Sequence, residues 1–236
     1  MKPIKLLIVG SVDNIEPTKV EDFKRACREL GEAIAKAHLE IVIASSRRSR
    51  AARYVLEGVA AKIAGPHRHR VWILRIEDGR TPFDDPSEFD KRVEFIRKRL
   101  PGDWRTVRVS QIQFADAVLL IGGDSGTLSC GYLAPVLEKP VLPIGSFGGT
   151  ATDPNLWRNL ARYYQVSKLS EEVGKFREHW EPGNAEAAVD TIQQLVRSRA
   201  FKNQPRLPLG IYMPLLLACL AGWVTLFALH QCIKSG

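Results

Sequence analysis

Over the first 200 residues, short apolar runs alternate with longer amphipathic stretches, and this alternation leaves the chain few folds to choose from. Strands that take turns with helices are joined by crossovers, so they build a parallel sheet covered by helices on both faces, an α/β domain. The runs predict strands at Ile4–Val9, Glu40–Ala44, Arg70–Ile76, Thr106–Val109, Ala117–Ile121 and Val141–Ile144. Between and after them, helices are predicted at 18–37, 50–64, 87–99, 126–138, 153–165 and 184–199. Pro17 and the Gly65-Pro66 pair supply start and stop signals, and 79–90, rich in turn formers, reads as a surface loop.

The pattern breaks near residue 201. Residues 201–206 read as a linker, and Leu207 to Leu229 contain no Asp, Glu, Lys, Arg or His. At about 1.5 Å per residue, such a helix spans roughly 34 Å, enough for the hydrocarbon core of a bilayer. A transmembrane helix at 207–229 with a short tail at 230–236 is therefore expected. All 26 acidic residues precede it, Arg197, Arg199, Lys202 and Arg206 flank its N-terminal side, and only Lys234 follows. The positive-inside rule then predicts a single-pass protein of the inner (cell) membrane with residues 1–200 in the cytoplasm. No N-terminal export signal is expected, since Met1 leads directly into KPIKLLIVG. Lys and Arg outnumber Asp and Glu by 34 to 26 without forming a basic run, which argues against duplex-DNA binding. Cys27, Cys130, Cys219 and Cys232 have neither zinc-site spacing nor disulfide-scaffold density, so no metal site is expected and a reducing compartment is.

In a sheet of this kind ligands bind outside the carboxyl ends of the strands. The residues just after the apolar runs form a consistent set: Gly10 and Ser11 after the first; Ser45, Ser46, Arg47 and Arg50 after the second; Gly122 to Thr127 after the fifth; Phe147 and Gly148 after the sixth. In IGGDSGT, Gly122, Gly123 and Gly126 let a backbone turn bring its N–H groups close to an anion, with the positive end of the next helix behind them. Ser125 and Thr127 add hydroxyl donors, while Asp124 either accepts from a ribose hydroxyl or caps the helix. One arginine of the SRRSR turn is expected to pair with phosphate, and Ser45 or Ser46 to cap the helix that follows. Phe147 either stacks on a base or anchors its loop from below.

KPIKLLIVGS, IASSRRSRAARYVLEG, FADAVLLIGGDSGTLSCGYLA and KPVLPIGSFGGTA together resemble the SLOG superfamily over roughly residues 3–165. That superfamily groups Rossmann-like nucleotide sensors with the LOG nucleotide phosphoribohydrolases. The enzymes carry PGGxGT and, three positions after its Thr, a catalytic Glu. Here the Pro is Ile121, the turn holds one extra residue, and the Glu position is Cys130. A neutral thiol cannot do the carboxylate's work, so no catalytic residue and no enzyme activity are expected. The resemblance implies instead a sensor for a nucleotide second messenger, of cyclic oligonucleotide or ADP-ribose type, needing no other cofactor. With the apolar tail, it implies a homo-oligomeric effector that disrupts the membrane in antiphage defence. The competing reading is a membrane-tethered LOG-like hydrolase using Glu138, Asp116 or Asp124. In the tail, Gly210, Pro214, Ala218 and Gly222 form a small-residue stripe at four-residue spacing that would let helices pack closely.

Overall fold

Six strands form one parallel sheet in the order β4-β3-β2-β1-β5-β6. They are β1 (Lys5–Ser11), β2 (Glu40–Ile43), β3 (His69–Ile76), β4 (Val93–Leu100), β5 (Ala117–Gly122) and β6 (Val141–Ile144). The helices are α1 (Val20–Lys36), α2 (Ala51–Lys62), α3 (Trp104–Phe114), α4 (Ser125–Val136), α5 (Pro154–Tyr164), α6 (Ser170–Gly174) and α7 (Asn184–Arg197). The computed structural model describes residues 2–43, 47, 49–63, 68–77, 89, 91–164 and 170–198. All of these fall in the first of two units, 1–202 and 203–236. The segment 207–229 lies outside the described residues, and among those described no helix is long and apolar enough to cross a membrane.

β1 and β5 are interior strands of the sheet and are buried along their whole length, which is why both read as unbroken apolar runs. Right-handed crossovers put α1 and α2 on one face, since both connections step toward β4, and α3 and α4 on the other, where connections step toward β6. Packing agrees: α1 contacts α2 and α7, while α4 contacts α3 and α5. α1 buries Phe23, Cys27, Leu30 and Ile34 at helical spacing and carries Glu21 and Asp22 in its first turn and Lys36 in its last.

Two sequence expectations exchange places here. Residues 87–99 do not form a helix: 93–100 are strand β4, at the edge of the sheet. The charges of VEFIRKRL look helical, but an edge strand needs only half a buried face and gains protection from its exposed Glu94, Arg97, Lys98 and Arg99. Conversely Thr106–Val109, β-branched and alternating, lies inside helix α3. Asp103 decides the matter, accepting N–H bonds from Arg105 and Thr106 at 3.0 and 2.9 Å as an N-cap. The other expected strands and helices stand within one to three residues at each end; α6 was not expected.

Candidate functional site

The strand order reverses at β1, whose neighbours β2 and β5 are reached by crossovers running in opposite directions. A crevice opens outside the carboxyl ends of β1 and β5 at such a switch point. Gly10 and Ser11 end β1 there, paired with Ile121 and Gly122 of β5. Ser11 is fully buried, its carbonyl accepts the Gly123 N–H at 2.9 Å, and its hydroxyl has no hydrogen-bond partner. The Val12 N–H reaches the Ser49 carbonyl at 2.8 Å, which ties the turn after β1 to the arginine-rich turn before α2.

The glycines of the turn have internal reasons to lack side chains. A Cβ on Gly10 would stand 1.9 Å from the Ile121 carbonyl oxygen, and one on Gly123, at φ +89°, would stand 2.1 Å from the Thr127 Oγ1. Gly126 differs. Its φ is not in the left-handed range, and its nearest would-be contacts are Asp124 Oδ1 at 3.1 Å and Arg108 Nη2 at 3.8 Å, so its missing side chain leaves room on the outer surface of the turn.

Asp124 caps α4. Its Oδ1 accepts the N–H groups of Gly126 at 2.9 Å and Thr127 at 3.3 Å, and its Oδ2 accepts from Arg50 Nη1 at 3.4 Å. Burial alone would raise its pKa, but the Arg50 charge and the two amides outweigh burial and hold the carboxyl below its ordinary value. Two of the amides expected to face an anion are thus already engaged by this carboxylate. Arg50 also lies 3.8 Å from Asp13, so a cation sits between two carboxylates at the mouth of the crevice.

Of the other expected residues, Thr127 is buried and Ser125, the first residue of α4, is exposed. Arg47 is half-buried, with its carbonyl accepting the Arg50 N–H at 2.9 Å. Ser45 and Ser46 lie outside the described residues. Phe147 is 3% exposed, with ring centroids 5.9 Å from Phe23 and 5.8 Å from Trp180. It is the anchor beneath the loop rather than a stacking platform, because its faces are taken by the core. Gly148 adopts φ +90° with open space around it.

Three more residues join this group: Thr150 and Asp13, which follow expected strands but were not expected as ligand contacts, and Arg108. Thr150 clamps the turn, its N–H bonding the Gly123 carbonyl at 3.2 Å and its hydroxyl the Asp124 carbonyl at 2.8 Å. Asp13 is the second carboxylate at Arg50. Arg108 of α3 reaches the first turn of α4, its Nη2 3.8 Å from where a Cβ on Gly126 would stand, and its charge acts on the Cys130 thiol. Reading 106–109 as a strand hid Arg108; the helical i+4 spacing from Trp104 was the available signal. Cys130 is fully buried, and burial pushes its pKa up against the opposing charge of Arg108. The other carboxylates of the hydrolase reading stand elsewhere: Asp116 accepts the Lys5 N–H at 2.8 Å just before β5, and Glu138 follows α4, so both lie at the amino edge of the sheet, opposite the crevice. Among the described residues no group of His, Cys, Asp and Glu is placed to hold a metal ion. An open depression of about 420 Å³ beside α2, lined by Glu57, Ala60, Ala61, Phe89, Lys91 and Arg92, shares no residue with the crevice.

Compared as a sequence, the chain matches no family model and no curated protein. Compared as a structure, it is similar to TM1055, with a TM-score of 0.53 at 20% identity over 81% of this chain and 99% of that one. It is similar also to the molybdenum cofactor carrier protein of Chlamydomonas reinhardtii, with a TM-score of 0.52 at 14% identity over 84% of this chain and 100% of that one. A third is the molybdenum cofactor binding protein of Rippkaea orientalis, with a TM-score of 0.50 at 18% identity over 83% and 98%. These likenesses establish the Rossmann-like fold over the domain.

Proposed function

We propose that this chain is a membrane-anchored sensor whose Rossmann-like domain binds a nucleotide-type ligand at the β1–β5 switch point. The observation that carries this reading is the convergence there of the Gly10-Ser11 strand end, the Gly122–Thr127 turn, the N-terminus of α4 and Arg50. The ligand meets the outer surface of the turn at Gly126, where an added side chain would meet no backbone and only the ends of the Asp124 and Arg108 side chains, at 3.1 and 3.8 Å. Gly10, Ser11, Arg47, Arg50, Gly122 to Thr127 and Gly148 form the binding region, and Phe147 supports it from below. Two of the structural neighbours are named for a molybdenum cofactor, so that cofactor belongs beside cyclic oligonucleotides and ADP-ribose derivatives among the ligands to be tried.

The domain binds without hydrolysing. The LOG carboxylate position holds buried Cys130, and neither Asp116 nor Glu138 stands at the crevice. Segment 207–229 inserts as a single helix with the domain on the cytoplasmic side, and ligand promotes self-association that clusters these helices and breaches the inner membrane, as an antiphage effector would. A single helix cannot enclose a pore, so this action requires several chains. Ligand biases clustering only through its higher affinity for the assembled state.

The test is mass spectrometry of small molecules retained by the purified full chain, followed by light scattering in detergent and dye entry into expressing cells, each with and without the retained compound. Retention of a nucleotide, larger particles and dye entry support the proposal. An apo protein with no affinity for any of the candidate ligands, or robust release of free base from a nucleoside monophosphate, overturns it.

A further inference from the structure

The two helical layers differ sharply in charge. On one side α1 alone carries four acidic and four basic residues, and these pair within the layer: Lys24 with Glu21 at 2.6 Å, Arg25 with Asp22 at 2.7 Å, Arg28 with Glu57 of α2 at 2.8 Å and Lys36 with Glu186 of α7 at 2.9 Å. On the other side α3, α4 and α5 contain Arg105, Arg108, Arg158 and Arg162 and no acidic residue at all. None of these four arginines makes an ion pair among the described residues. Of the acids bordering the layer, Asp103, Asp124 and Asp153 accept N–H bonds from the first turns of α3, α4 and α5, the last from Leu156 at 2.8 Å, and Glu138 stands exposed just past the end of α4.

Between the arginines, α4 has no charged residue along its twelve positions. Its outward positions, Ser125, Leu128, Ser129, Tyr132, Leu133 and Val136, recur at helical spacing and are exposed or half-buried. Val136 is 63% exposed and Trp104, at the start of α3, is 55% exposed; they are the two large apolar residues so exposed among those described. A surface helix without charge, set between basic neighbours and an exposed tryptophan, has the make-up of a face that rests on a bilayer interface: apolar and aromatic groups at the headgroup level and arginines for anionic lipid.

We propose that the outer face of the α3–α4–α5 layer lies on the anionic headgroup surface of the membrane. Charge complementarity selects this occupant. A second copy seated face to face would bring arginines against arginines, whereas an anionic lipid surface neutralises them. Chain length permits it, because residues 198–206 separate Arg197 from Leu207 and span at most about 30 Å. The proposal builds on the anchoring proposed above, and it places α4, whose N-terminus lines the crevice, against the lipid.

The experiment uses the full chain with Cys219→Ser and Cys232→Ser, which leaves buried Cys27 and Cys130 as the remaining native thiols. A fluorophore is attached at Ser129→Cys on α4 or, as the control, at Arg25→Cys on α1. The protein is reconstituted into vesicles of phosphatidylcholine alone, or mixed with phosphatidylglycerol, both containing a headgroup-linked quencher. Quenching of the Ser129→Cys label is expected in the anionic vesicles, falling in high salt and in phosphatidylcholine alone, with the Arg25→Cys label unaffected. Each arginine neutralised among Arg105, Arg158 and Arg162 should lower the ratio of docked to undocked domain roughly fivefold, and all three about a hundredfold. Equal quenching in both lipids, indifference to the triple Arg→Gln variant, or an interchain disulfide of the unlabelled Ser129→Cys chain together with an unquenched labelled one overturns the proposal, the last result assigning the face to a second copy. Resistance to alkaline extraction reports on the anchor separately: a resistant chain with an unquenched label refutes the docking face alone, and an extractable chain with a quenched label refutes the anchor alone.

Discussion

Gly123 and Gly126 stand three residues apart in one turn, yet an added methyl group should affect them oppositely. At Gly123 an alanine must hold φ near +89°, which costs about 1 kcal/mol or more for an L side chain. Its Cβ would also lie 2.1 Å from the Oγ1 and 2.5 Å from the Cβ of Thr127, a buried residue, so the first turn of α4 must shift. Such overpacking costs typically about 1–3 kcal/mol, for a total of roughly 2–4 kcal/mol. At about 2–4 °C per kcal/mol for a domain of this size, Gly123→Ala should lower Tm by roughly 5–15 °C. Gly126 has an ordinary φ, its nearest would-be contact is a side-chain oxygen at 3.1 Å, and alanine is the better helix former, so Gly126→Ala should stay within about 0.5 kcal/mol of the parent. Thermal unfolding of the full chain in detergent, followed by tryptophan fluorescence, measures both. Equal Tm values for the two variants would refute the argument that the glycines serve different ends. Given a stable Gly126→Val, ligand affinity then reads the outer surface of the turn without interference from folding.

Other perturbations follow from named contacts. Burial, aided by the neighbouring His38 charge, lowers the His69 pKa to about 4, so the unfolded chain binds more protons between about pH 4 and 6.5. Stability from this group is therefore complete above pH 6.5 and lost as pH falls toward 4, by about 3 kcal/mol in all; His69→Phe should flatten that part of the stability–pH curve. The depressed Asp124 carboxyl contributes in the same sense at lower pH, its stabilisation present above the unfolded value and lost as pH falls through the folded one, and Asp124→Asn should remove that acid limb in denaturant titrations. Cys130→Glu sets a carboxylate within reach of the Arg108 charge, so the variant should fold and release base from a nucleoside monophosphate at most weakly, while the parent releases none in the same chromatographic assay.

What could be read from the sequence was whatever a single period or a local signal decides. The fully buried strands β1, β2, β5 and β6 announce themselves as apolar runs, and the amphipathic α1, α5 and α7 as helical repeats. VEFIRKRL and TVRV were exchanged because an edge strand is defined by its neighbours and a capped helix by the residue before it, and neither appears in a window of composition. The glycine turn was legible as a turn, but its tie to Thr150 depends on two loops about 25 residues apart meeting in space. Phe147 shows the same limit from the other side. Its sequence context allows stacking or anchoring, and only Phe23, distant in the chain, decides for anchoring.

The central position of β1 also sets an order of assembly. Its registered partner on one side, β2, begins at Glu40, but its partner on the other, β5, begins at Ala117, and the Lys5 N–H waits for Asp116. While β2, β3 and β4 add to one side, the seven buried residues of β1 present an unpaired apolar edge until β5 arrives. Non-local parallel pairing of this kind is slow and leaves the growing chain prone to aggregate. A fragment ending near residue 100 should therefore precipitate rather than fold, and extension through β5 is the least that gives β1 its second neighbour.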